Sequence, residues 1–185
     1  MRLPLAAGLA TAAAAATLYP LFKNASWAWS GLGAITAVTL AGVVTSRCSL
    51  PRGLAPVGGL LLLGLYLIMR FAREEAWAGF VPTPDALALL WTVLESGITD
   101  VRRYAAPVPV SPGISLLTTG GIGLIAILVD LCAVRLRRAA LAGLPLLALF
   151  SVPAAFLVEP VGWPAALAAA LGYLGLLLAD GRERI

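Results

Sequence analysis

The 185-residue chain contains no histidine. Without an imidazole to take the proton, it holds no Cys-His or Ser-His nucleophile pair. HExxH zinc sites and imidazole proton relays are excluded for the same reason. Lysine is nearly missing too: Lys23 is the only one, and the other cations are all arginine. Cysteine occurs twice, at Cys48 and Cys132, and two cysteines do not by themselves support a disulfide. Charge is scarce. Charged residues make up 12% of the chain, about half of what an ordinary soluble domain carries.

What fills the space is apolar. Hydrophobic residues reach 61%, and the mean hydropathy is +0.96. A chain of this size leaves much of its surface exposed when folded, so it cannot hide that much apolar area from water. Lipid must be the solvent for part of it. The net charge of +4 does not point to nucleic acid. The arginines sit in short clusters between apolar runs, without the aromatic interleaving of a base-stacking platform.

A membrane-spanning helix needs about 20 apolar residues. Six runs approach or reach that length: residues 3–22, 27–46, 54–71, 113–134, 139–158 and 161–179. The expected fold class is therefore an all-α membrane bundle of about six transmembrane helices in one domain spanning residues 1–185, since a helix satisfies its own backbone polar groups in hydrocarbon. Trp27 and Trp29 open the second run as an expected interfacial aromatic pair, and Trp163 opens the sixth. Arg2 followed by an alanine-rich stretch also reads as a secretory leader. The stretch continues through Tyr19 and Leu21 to spanning length, which favours a retained first helix.

Cations set the orientation. Arg2, Arg47, Arg52, Arg135, Arg137, Arg138, Arg182 and Arg184 fall on one side. Lys23, Arg70, Arg73, Arg102 and Arg103 fall on the other, with Glu74, Glu75, Asp85, Glu95, Asp100 and Glu159. The positive-inside rule places the first group, and with it both chain termini, in the cytoplasm. Cys48 and Cys132 then lie at cytoplasmic positions, where reduced thiols are expected.

The segment 72–112 is the largest outside the membrane. It is expected to hold an amphipathic helix over about 84–104. Thr83 is suited to cap it, Pro84 to its first position and Asp85 to its positive end. Leu87, Leu90, Trp91, Leu94, Ile98 and Val101 recur on one face, with Ala88, Thr92, Glu95, Thr99, Arg102 and Arg103 opposite. Pro107, Pro109 and Pro112 lead into the fourth span. Pro145 and Pro153 are expected to kink the fifth span. Thr118, Thr119, Gly120, Gly121 and Gly123 form a small-residue patch suited to close helix packing. Asp130 is a carboxylate inside the fourth span. It needs a partner, and Arg135, Arg137, Arg138 or an arginine of the second loop could reach it. A structural salt bridge is the expected role. A lone acid without a second one makes a poor proton relay.

Several stretches, taken in order, resemble a known family. They are the opening Met1-Arg-Leu-Pro-Leu-Ala-Ala, then Asp100-Val-Arg-Arg-Tyr104-Ala-Ala-Pro-Val-Pro109, then Leu141-Ala-Gly-Leu-Pro145 with Val152-Pro153-Ala154, and the closing Ala179-Asp-Gly-Arg-Glu-Arg184. Together they are similar to the N-terminal membrane domain of bacterial transglutaminase-like proteins of the TgpA type, in their actinobacterial form. The resemblance runs along essentially the whole chain, but none of its motifs is a catalytic signature. It implies a multi-pass protein of the bacterial cytoplasmic membrane, followed in the family by an extracytoplasmic Cys-His-Asp transglutaminase-like domain. No residue here inherits a catalytic role, so the chain is expected to be a fragment or a stand-alone version of the membrane domain.

The resemblance implies no cofactor and no metal. It does imply partners: the lipid bilayer, a transglutaminase-like domain and a MoxR-type ATPase-associated membrane complex. A membrane anchor or scaffold is the expected function, ahead of a small transporter or channel. An intramembrane protease is weaker still, because paired acids are lacking. Arg102, Arg103 and Tyr104, stiffened by Pro107 and Pro109, are the expected partner contact.

Overall fold

The computed structural model describes residues 2–22, 26–47, 55–103, 111–156 and 162–184. Hydrocarbon offers no partner to a backbone N–H or C=O, so apolar runs of this length fold as helices. Helix α1 (Arg2–Ala15) tightens into a 3-10 turn, Ala16–Leu21. It is followed by α2 (Ser26–Arg47), α3 (Ala55–Phe71), α4 (Pro84–Arg103) and α5 (Pro112–Asp130). Helix α5 continues through a π turn, Leu131–Arg135. A 3-10 turn, Ala139–Ala142, leads into α6 (Gly143–Phe156), and α7 is Trp163–Arg184.

Four helical segments are long and apolar enough to cross a membrane: Leu3–Leu21, Ser26–Ser46, Pro112–Arg135 and Trp163–Arg182. The apolar helices Pro56–Phe71 and Ala139–Ala154 are shorter. The fifth run opens with a 3-10 turn, so its α-helix begins only at Gly143. Pro145 therefore falls in the first turn, where its missing N–H has no intrahelical bond to lose. Of the two prolines, Pro153 is the one inside the helix.

The surface is inverted relative to a soluble protein. Leu9 is 71% exposed, Leu61 69%, Leu144 69% and Leu171 66%, and α2 and α5 likewise turn Leu40 and Leu124 outward. Soluble monomers rarely carry apolar patches above a few hundred Å². The interior mixes large apolar residues such as Ile122 and Leu176 with many small and hydroxylated ones. Ala7, Ala10 and Ala14 are buried in α1, which packs along α7. A Cβ added at Gly172 of α7 would meet Ala13 Cβ at 2.9 Å. The buried hydroxyls of Thr11, Thr17 and Thr45 donate back to Ala7, Ala14 and Ala41 carbonyls, which satisfies them without a neighbour.

Helix α5 is the axis of the bundle, packed against α1, α2, α3, α4 and α6. Tyr66 of α3 donates to the Ser30 carbonyl of α2 at 3.0 Å. Tyr173 of α7 donates to the Ala140 carbonyl at 3.1 Å. The aromatic pair at the start of α2 splits. Trp29 is exposed, while Trp27 is buried with its ring centroid 5.0 Å from that of Phe22.

Candidate functional site

Helix α4 lies at the end of the bundle where α1 and α3 finish and α5 starts. Its entry is a compact turn. Trp77 and Val81 form an isolated bridge, and Gly79 takes φ +79°, a left-handed conformation that glycine adopts without strain. Thr83 then caps α4. Its Oγ1 accepts from the Ala86 N–H at 3.1 Å, and its hydroxyl donates to the Glu75 carbonyl at 2.6 Å. Pro84 and Asp85 occupy the first turn, where the missing N–H is harmless and the negative charge meets the positive helix end.

The face of α4 that packs on the bundle is not centred on its row of large apolar residues, a row that could equally lie at the membrane surface. Ala86 and Gly97 are buried, Leu89 and Leu90 are half-buried, and Leu87, Trp91, Ile98 and Val101 stay exposed. The reason is backbone approach. A Cβ at Gly97 would lie 2.5 Å from the Gly113 carbonyl carbon of α5, so the two helices cross with main chain against main chain. Bulky leucines cannot enter that crossing and are displaced to its flanks.

Just beyond the crossing, Ser111 caps α5. Its Oγ accepts from the Ile114 N–H at 3.2 Å and donates to Asp100 Oδ2 at 2.7 Å. The motif Ser111-Pro112 is a cap followed by an N1 proline, a signal that sequence reasoning could have used and missed.

Arg102 and Arg103, expected to form one contact, are separated by the helix. Both are exposed on the last turn of α4. Arg103 borders a polar recess of about 400 Å³ with Thr92, Glu95, Ser96, Thr99 and Asp100. Arg102 instead lines an apolar groove on the other side of the helix. Tyr104, Pro107 and Pro109 lie outside the described residues, as does Cys48.

The opposite end of α5 holds the intramembrane carboxylate. Arg135 Nε lies 3.7 Å from Asp130 Oδ2. Arg135 Nη2 also donates to the Gly42 carbonyl of α2 at 3.3 Å and to the Thr45 hydroxyl. In an α-helix, residues five apart point about 140° from one another. The π turn over Leu131–Arg135, with Leu136 N–H donating to the Leu131 carbonyl at 2.9 Å, widens the helix and brings the two onto one side. Among the described residues, Arg135 is the one of the expected partners found beside Asp130; Arg52 and the side chain of Arg47 lie outside them. Asp130 has room because Gly42 faces it: an added Cβ there would sit 2.8 Å from Oδ1. Cys132 is a half-buried free thiol on the same turn.

The small-residue patch of α5 is divided. A Cβ at Gly123 would run into the Leu63 side chain of α3, as close packing requires, whereas at Gly121 it would meet nothing within 4 Å. Among the described residues, no group of three or more His, Cys, Asp or Glu is arranged to hold a metal ion.

No curated protein and no solved structure matches the chain. The family model described as the TgpA N-terminal domain matches residues 9–184. With nearly its whole length matched and its apolar helices arranged for lipid, the chain belongs to the TgpA N-terminal domain family.

Proposed function

We propose that the chain is a non-catalytic membrane anchor and scaffold. It spans the bacterial cytoplasmic membrane six times with both termini inside, and it positions an extracytoplasmic transglutaminase-like domain of the Cys-His-Asp type. Family membership supports the membrane-domain role. The two shorter apolar helices support the count of six. Helix α3 has 17 residues and is about 26 Å long. Helix α6, with the 3-10 turn before it, runs about 29 Å. Both lengths come near the hydrocarbon thickness of about 30 Å. The excess of arginine on the segments flanking the ends of α2, α5 and α7 supports the sidedness.

The observation that carries the scaffold role is the placement of α4. It lies against one end of the bundle, fixed by the Gly97–Gly113 crossing and the Asp100–Ser111 bond, with the polar recess at Arg103 turned outward. A rigid polar surface at the outer end is what a following enzyme domain needs to dock on. Arg103 is the proposed contact, with Tyr104 next to it in the chain. An associated MoxR-type ATPase complex would meet the other, cytoplasmic end. The pairing of Asp130 with Arg135 supports a structural role for that acid rather than an ion path.

Two measurements test this reading. Single cysteines at Thr92 and Arg138 should label from opposite faces of the membrane with an impermeant reagent, Thr92 from outside. In a full-length relative, replacing the arginine equivalent to Arg103 by alanine should loosen crosslinking between the membrane and enzyme domains. Unchanged assembly removes the contact. Specific solute flux through liposomes, lost with Asp130→Asn, would overturn the scaffold reading altogether.

A further inference from the structure

We infer that the groove beside α4 is a binding site for one acyl chain of an anionic phospholipid, with Arg102 holding the phosphate. The groove has a volume of about 650 Å³ and runs between the end of α1, the last turn of α4, α5 and α6. Phe22, Val101, Ile125 and Val152 are among its walls. Thr118 also lines it, but its hydroxyl already donates to the Ile114 carbonyl at 2.8 Å. The walls therefore offer a guest no free neutral side-chain donor and only the Thr118 oxygen as an acceptor, so a polar guest would lose most of its hydration without compensation. Hydrocarbon would not.

Gly121 lies on the groove wall. A Cβ there would meet no protein atom within 4 Å, so a larger residue at this position would project into open space.

From Leu117 to Ile125, which line the groove on α5, is about 12 Å of helix axis. The groove's volume falls in the range of small-ligand sites, which suits a single acyl chain.

One lining residue is charged, Arg102. It is exposed on the last turn of α4, at the end of the bundle where Leu21 and Phe22 finish the first helix. A guanidinium there matches a phosphate diester whose charge no headgroup cation neutralises. With the sidedness proposed above, Arg102 faces the outer leaflet; the site itself does not depend on that sidedness.

The test uses the full chain in nanodiscs of mixed phosphatidylcholine and phosphatidylglycerol, each lipid in turn carrying a photoreactive group midway along one chain. Mass spectrometry maps the labelled residues. Phosphatidylglycerol should label the 117–125 and 148–152 segments about fivefold more than phosphatidylcholine, the factor that one arginine gives near an anionic lipid surface. Arg102→Gln should equalise the two lipids, and Arg102→Lys should keep most of the preference. Gly121→Phe should abolish labelling of these segments while leaving the outward leucines of α7 labelled. Gly121→Leu, a smaller plug, should reduce it.

Equal labelling by both lipids in the unaltered chain would overturn the headgroup role. Undiminished labelling with Gly121→Phe would overturn the groove as the chain's seat. Neither outcome depends on which face labels in the cysteine experiment, so a wrong sidedness and a wrong lipid site are told apart.

Discussion

The Ser111 hydroxyl donates to the Asp100 carboxylate at 2.7 Å while accepting from the Ile114 N–H at 3.2 Å. One side chain thus caps α5 and ties it to the last turns of α4. Ser111→Ala removes both bonds and should lower stability by about 1–2 kcal/mol. Asp100→Ala removes only the tether and should cost about 1 kcal/mol. Because both changes break the same bond, the double variant should lose less than the two single losses combined. Unfolding of the four proteins in detergent measures the coupling, and strict additivity would show that the bond does not hold in the membrane-solubilised protein.

The Gly97–Gly113 crossing and Gly121 form an internal control. Gly97→Ala or Gly113→Ala places a methyl against main chain, which cannot yield as a side chain would. Each should destabilise by about 1–3 kcal/mol and raise the accessibility of a cysteine placed at Leu90. Gly121→Ala meets open space and should be neutral or slightly stabilising. If all three glycines behaved alike, helix propensity and not the crossing would set their effect.

This contrast marks where the sequence was legible. Residue spacing and hydropathy located the four helices long and apolar enough to cross a membrane, the helix now seen over Pro84–Arg103, and the Thr83 cap. These follow from period and cap chemistry, which are local. The face of α4 was not legible, because the contact is made by two glycines distant in sequence and hydrophobicity says nothing of where main chains touch. Nor did adjacency reveal that Arg102 and Arg103 serve different surfaces. The π turn was invisible as well, and it brings Arg135 to the side of Asp130.

Thr83 ties two elements at once, accepting from Ala86 N–H and donating to the Glu75 carbonyl. Thr83→Ala should cost about 1 kcal/mol and speed amide exchange in the first turn of α4 without affecting α5. Thr83→Ser keeps both bonds and should restore slow exchange. Failure of serine to restore it would mean that the threonine methyl, rather than the hydroxyl, secures the turn.

Asp130 and Arg135 yield the sharpest prediction at the other end of α5. Their side chains are 16% and 9% exposed, so either one left alone is a poorly solvated charge in a lipid-facing bundle. Arg135→Met strands the carboxylate and also severs the bonds to Gly42 and Thr45 of α2. It should cost about 3 kcal/mol or more, the usual penalty for breaking a buried pair from one side. Asp130→Asn keeps a polar group of the same shape beside Gly42 and should cost less. The Asp130→Asn and Arg135→Met pair together should recover part of the loss, because no charge is then unmatched. Arg135→Lys keeps the charge but not the planar fork that reaches Asp130 and α2 together, and so should rescue only partly. Unfolding midpoints in detergent, read with the membrane insertion of each variant, decide the matter. Normal stability of Arg135→Met would show that Asp130 draws its compensation from elsewhere.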